Sequence, residues 1–261
     1  MVKREASIFM HFRPDEHPFV QRALDFVDRS VNRSMPIQTH FLNPREQYIL
    51  ETLIRRKPDV NWMMSGGYSS AERCRAIVSP SHIPIDPDWF ELSFLRIERI
   101  GHGKLNHPDV LGALLGLGIK REMLGDLHPH ENGCDCIIGT EMIDYICSLL
   151  HQVGRTTVNV KEINAEELLV TEPEFVSRAV TVSSLRLDAI LAEGHRLSRA
   201  KATLLIKNGK CKVNFSQVDN PSFQIGKGDM ISLSGYGRIC MKNIEGLTKK
   251  GRYIILLDYL I

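Results

Sequence analysis

Between residues 186 and 214 the chain reads RLDAILAEGHRLSRAKATLLIKNGKCKVN, two short helical segments parted by a turn, and this stretch restricts the fold more than any other. Leu187, Ile190 and Leu191 fall on one side of the first segment, which Ser183 or Ser184 can cap and Gly194 can end. Ser198 is placed to cap the second, Arg199 to Lys207, and Asn208–Gly209 to close it with a left-handed residue. At about 100° per residue, Ala202, Leu205 and Ile206 share one arc, while Arg199, Thr203 and Lys207 share the next and Lys201 points elsewhere. Packing the apolar arc inward therefore lifts Arg199 and Lys207 outward on a common flank. Short apolar β-like pieces follow, returned by the turn residues GKGD at 226–229, and give the helix pair a surface to pack on.

Charge follows the same division. Residues 181–261 hold thirteen Lys/Arg against six Asp/Glu, formally +7, and the remaining residues hold twenty against twenty-five, formally −5. A basic end on a mildly acidic chain points to a polyanion partner for that end alone. A solvated cationic face gives the same totals, so the pattern of residues has to carry the distinction.

Upstream, Pro14 opens an apolar helical spacing to residue 34, and Pro44 opens a second helix that Lys57–Pro58 ends. VNWMMSGG then reads as a strand and SSAERCRAIVSP, residues 69–80, as a short helix after the Gly66–Gly67 bend. Strand, helix, strand, strand, helix and strand follow at 90–98, 107–117, 123–128, 134–138, 141–153 and 156–163. The expected fold class is α+β. It comprises a helical N-terminal region at 1–58, a ferredoxin-like or RRM-like α/β sandwich at 59–163 and a connector with an embedded strand at 164–180. A small C-terminal domain at 181–261 completes it, two short helices packed on a small sheet.

The C-terminal pattern resembles the RNA-binding domain named after the fourth protein of the small ribosomal subunit. Arg186, Leu187 and Asp188 match its opening, Ser198, Arg199, Ala202, Ile206 and Gly209 its middle, and Val213, Asn214, Gly228 and Asp229 its end; Phe215 departs from it, standing where many members have glycine. The resemblance assigns RNA contact to Arg186, Arg199, Lys201, Lys207 and Lys212. With SGGYSSAERCRA (65–76), HPDVLGALLGLGIKRE (107–122), LGD (124–126) and GT (139–140) included, the whole chain resembles the YlmH-like bacterial proteins. That likeness implies a non-catalytic factor on the large ribosomal subunit, contacting rRNA and peptidyl-tRNA beside a nascent-chain tailing factor during rescue by alanine tailing. An RNA-modifying enzyme and a protein-binding factor of cell division are the alternatives.

Arg73, Arg75, Lys120 and Arg121 are candidates for a second RNA contact, although the two arginines after the glycine bend can equally satisfy groups of the fold. An Arg-Leu-Asp segment also carries the catalytic aspartate of pseudouridine synthases, but here it lies inside the helix of the binding module, and Asp188 next to Arg186 is expected to orient or pair. No Walker spacing or dinucleotide fingerprint is present. His128, His130, Cys134 and Cys136 offer metal donors, but the single residue between the cysteines falls short of structural zinc spacing, so no metal and no cofactor are expected. Six scattered cysteines, the lack of an export-signal pattern at the start and the lack of a long apolar run point to reduced thiols, the cytoplasm and no membrane contact, and a monomer is expected because nothing in the residues demands a dimer.

Overall fold

In the computed structural model, which describes residues 8–171 and 175–260, the chain divides into two compact units, 1–171 and 172–261. Residues 172–174 of the expected connector, the first seven residues and the last lie outside the described residues.

The first unit opens with α1 (His17–Arg33), whose Val20, Ala23 and Val27 are buried, and which stops at Ser34 in a left-handed conformation, φ 49°. After β1 (Ile37–Gln38), α2 (Pro44–Ile54) begins with a capping box. Asn43 accepts from the Arg45 and Glu46 amides, and the Glu46 carboxylate accepts from the Asn43 amide. β2 (Val60–Ser65) and β3 (Arg75–Pro80) complete an antiparallel sheet ordered β1-β3-β2, and this sheet shares a core with both helices. The expected helix over 69–80 is therefore corrected to a turn followed by a strand. All six residues of β3 are buried, so no polar face exists for a helix to turn to solvent, and the Ile77–Val78 pair favours the pleat.

β4 (Leu92–Arg99), α3 (His107–Gly116), β5 (Leu124–His130), β6 (Gly133–Gly139), α4 (Ile143–Leu149), β7 (Gln152–Val153) and β8 (Thr156–Ile163) follow. They form a five-stranded antiparallel sheet ordered β5-β6-β4-β8-β7. With the two-residue β7 set aside, this is the ferredoxin-like βαββαβ arrangement, with α3 and α4 over one face. The expected helix over 141–153 stops at Leu149, because Leu150 is extended and Gln152–Val153 turns back to pair with β8.

The second unit begins at β9 (Phe175–Val182), the strand embedded in the expected connector, which pairs along its whole length with the last strand. Then come α5 (Leu187–Gly194), α6 (Arg199–Lys207), β10 (Cys211–Val213), β11 (Ser216–Gln217), β12 (Met230–Leu233), β13 (Gly237–Leu247) and β14 (Tyr253–Leu260). Six antiparallel strands run in the order β11-β10-β12-β13-β14-β9, and α5 and α6 pack on one face around Ile190, Ala202, Ile206, Ile231, Ile239 and Leu257.

Between β10 and β11 the chain turns through Asn214 (φ 49°) and Phe215 (φ 67°) while Val213 pairs with Ser216. This two-residue hairpin turn needs positive φ at both positions. A phenylalanine there costs about 1–2 kcal/mol relative to a residue comfortable in that region, so the departure from glycine strains the turn and keeps its shape. Asn214 holds it. Its backbone amide donates to the Met230 carbonyl at 2.8 Å, its side-chain oxygen accepts from the Met230 amide at 2.9 Å, and its side-chain amide donates to Asp229 at 2.8 Å.

Candidate RNA-binding interface

The site grows from the start of α5. Arg186 occupies the N-cap position and no serine side chain caps the helix, which corrects the expected role of Ser183 or Ser184. The first free amides instead donate to the segment before β12, Leu187 to the Phe223 carbonyl at 2.9 Å and Asp188 to the Pro221 carbonyl at 3.1 Å. Ser198 does cap α6, accepting from the Lys201 amide at 3.2 Å. At the far end Gly209 (φ 68°) donates to Ile206 and Lys210 donates to Leu205, the paired bonds of a Schellman stop.

This framework brings three charges together. The Asp188 carboxylate, 5% exposed, accepts two bonds from Arg186 at 3.1 and 3.0 Å and two from Arg199 at 3.2 and 3.3 Å. Both guanidiniums keep much of their surface, 37% for Arg186 and 50% for Arg199. Burial alone would push the Asp188 carboxyl up, but the hydrogen bonds from Arg186 and Arg199 outweigh it and hold the group below the usual carboxylate range. The same bonding raises Arg186. Two fixed cations over one anion leave a net positive charge in a set geometry. With both carboxylate oxygens bonded to arginines, Asp188 serves here to fix the two guanidiniums in place.

The remaining residues expected to contact RNA divide between two surfaces. Lys201 and Lys207 are exposed on α6, with the Lys201 ammonium 5.7 Å from the centre of the Tyr236 ring. Lys212 is exposed on β10 between the buried Cys211 and Val213, and so points to the sheet face opposite the helices. Sequence reasoning passed over Tyr236 and Arg238. A glycine-flanked aromatic followed by a cation, GYGR at 235–238, was the available signal.

In the first unit Arg73 and Arg75 are buried. Arg73 donates to the carbonyls of Leu124 (2.9 Å), Phe41 (2.9 Å) and Arg121 (3.3 Å). Arg75 donates to the carbonyls of Phe90 (3.2 Å) and Glu91 (3.1 Å) and to the Glu141 carboxylate. Arg121 is half-buried and bonds the Leu124 and Gly125 carbonyls, which leaves Lys120 as the exposed member of that group. Asp126 explains why the motifs around residues 65–76 and 124–126 belong together: it accepts from the Tyr68 hydroxyl at 2.9 Å and from the Glu72 and Arg73 amides at 2.7 and 3.2 Å. Gly67 (φ 88°) completes that loop, where a Cβ would stand 2.7 Å from the Phe94 ring.

The string from His128 to Cys136 is split by the pleat. Cys134 and Cys136 are buried in the core beneath the helices, their sulfurs 4.0 Å apart. On the other face His130 meets Asp135 at 3.1 Å, and His128, whose register partner is Asp135, accepts from the Thr171 amide at 3.2 Å. Burial lowers His128, and all six cysteines are free thiols. Among the described residues, no group of three or more His, Cys, Asp or Glu could hold a metal ion, and no helix is long and apolar enough to cross a membrane.

Three family models match consecutive parts of the chain. They are "YlmH, N-terminal" over residues 15–83, "Putative RNA-binding domain in YlmH" over 86–167, and "S4 domain" over 185–231. The structure is similar in fold to the "Cell division protein ylmH from Streptococcus pneumoniae", with a TM-score of 0.55 and 23% identity over 60% of this chain and 96% of that one. The chain is also 37% identical, over 97% of its length and 98% of the relative's, to the "Ribosome-associated protein quality control protein P2" of Bacillus subtilis. With that likeness end to end, and the Arg186–Asp188–Arg199 arrangement inside the matched C-terminal segment, the chain belongs to the YlmH family and carries a C-terminal S4 RNA-binding domain.

Proposed function

We propose that this chain is a factor of ribosome-associated quality control that docks on the large ribosomal subunit. The α5–α6 face meets rRNA through Arg186 and Arg199, with Lys201 and Lys207 beside them and Lys212 reaching RNA from the other sheet face. The observation that carries this reading is the Asp188 clamp, which takes the Nε–Nη2 edge of each arginine, holds the two half-exposed guanidiniums at fixed positions and leaves their outer edges to meet phosphate. The kinship with a ribosome-associated quality control protein supports the setting. In that setting the chain works in the cytoplasm as a monomer and contacts peptidyl-tRNA beside the factor that adds the alanine tail. Of Arg73, Arg75, Lys120 and Arg121, Lys120 is the exposed one, and it offers the second RNA contact.

Cosedimentation of the purified chain with isolated large subunits tests the docking. The parent is expected in the subunit fraction at physiological salt, and R199A/K207A is expected to leave it while keeping its melting temperature. A parent chain that stays in the supernatant overturns the assignment, as does a double variant that pellets like the parent.

A further inference from the structure

The strained hairpin turn brings its Phe215 ring against Arg238, on the face of the second sheet that the helices do not cover. Directly paired residues of an antiparallel sheet share a face, so the pairs Lys212↔Ser232 and Ser232↔Arg238 set Lys212, Ser232 and Arg238 in one row across β10, β12 and β13. Two strand spacings separate the two cations, about 10 Å. Arg238 carries its guanidinium over the Phe215 ring, 5.4 Å from the centre. Phe215 itself is half-exposed at φ 67°, where glycine is the comfortable residue, and the Asn214 bonds to Met230 and Asp229 fix the turn that holds it there.

A bulky ring kept in a disfavoured backbone conformation, at the tip of a rigid turn and against a guanidinium, is a flat surface presented for use. Base faces stack on such aromatic–arginine pairs, and a cation within reach holds the neighbouring phosphate. We infer that Phe215 and Arg238 form a stacking site for one unpaired RNA base, with Lys212 taking an adjacent phosphate, on the face opposite the α5–α6 contact. The proposal rests on the RNA-binding reading above and adds to it the class of RNA read, a strand with an unpaired nucleotide next to a folded stem.

The test uses the full chain and two fluorescein-labelled RNAs, a hairpin with an unpaired loop and the same stem as a blunt duplex. The parent is expected to prefer the hairpin. F215G puts into the turn the residue its backbone favours, so its melting temperature should stay within about 5 °C of the parent. Its hairpin affinity should nevertheless fall about tenfold, with duplex affinity unchanged, and F215Y should restore the preference. R238Q leaves the turn sequence intact and should weaken the hairpin preference in the same direction, which covers the case of a poorly folding F215G. A hairpin preference that survives both F215G and R238Q overturns the stacking site. A parent that binds neither RNA overturns the RNA-binding reading beneath it, whereas R199A/K207A weakening both RNAs alike while F215G weakens only the hairpin supports both.

Discussion

Arg75 and Arg199 each meet a carboxylate, yet the Arg75 side chain has no exposed surface while Arg199 keeps half of its own. In the first unit the guanidinium is structural. It crosses from β3 to the Phe90 and Glu91 carbonyls and to Glu141, and so ties three segments together. In the second unit the carboxylate is the buried partner and the arginines are the ones on show. The same ionic chemistry thus serves cohesion in one place and presentation in the other, and what decides between them is which member of the pair is withdrawn from water.

The largest expected effect breaks the comparison on the side of cohesion. R75M should lower the unfolding free energy of the first unit by on the order of 3 kcal/mol, because it strands the buried Phe90 carbonyl, removes one of the two bonds to the Glu91 carbonyl and removes the buried partner of Glu141. R199M should cost less, about 1 kcal/mol, because Arg186 keeps its two bonds to the buried Asp188. Urea titration of the two variants measures both, and equal losses would erase the distinction.

Acid sharpens it. Asp135 is fully buried and accepts from Arg96, His130 and the Leu169 amide, and like Asp188 it is held below the usual carboxylate range because these bonds outweigh the burial that would raise it. A depressed folded-state value gives stability that is present above the unfolded value of about 3.9 and is lost as pH falls below it. Both units should therefore weaken in that window. D188N should flatten the acid limb of the second unit alone, followed by melting temperature against pH. A D188N chain with an unchanged acid limb in that unit would show that Asp188 holds no such stability.

On the side of presentation, R199A/K207A should reduce the slope of log affinity against log salt by about 1.5, since each lost phosphate contact removes about 0.7–0.9. K120A should change it by less than one contact's worth. A double variant whose slope matched the parent's would place the phosphate contacts elsewhere.

Much of this arrangement could be read in the residues. The helix pair, its Ser198 cap and its Gly209 stop follow from short-range rules that act within one turn, and so does the inward arc of Ala202 and Ile206. The βαββαβ order follows from alternation at domain scale. Three things were not legible because they depend on residues distant in sequence. β3 looks helical from AERCRAI alone, and only its place between β1 and β2, buried on both faces, makes it a strand. The α5 cap comes from carbonyls more than thirty residues downstream, at Pro221 and Phe223, rather than from a neighbouring serine. Arg73 and Arg75 stood as candidates for a second RNA contact, and burial, which no spacing encodes, sets them apart from Arg199. Lys212 parted from the helix cations by strand alternation, which sends it to the opposite face.

Replacing Asp188 by asparagine tests the presentation of the two arginines most directly, because the two physical effects of the change have opposite signs. Removing an anion from a basic face should by itself strengthen RNA binding, whereas releasing Arg186 and Arg199 from their shared anchor should weaken it. With the dissociation constant for isolated large subunits measured for the parent and D188N at one salt concentration, weaker binding by the variant is the expected result. Equal or tighter binding would contradict the claim that Asp188 orients the two guanidiniums for RNA.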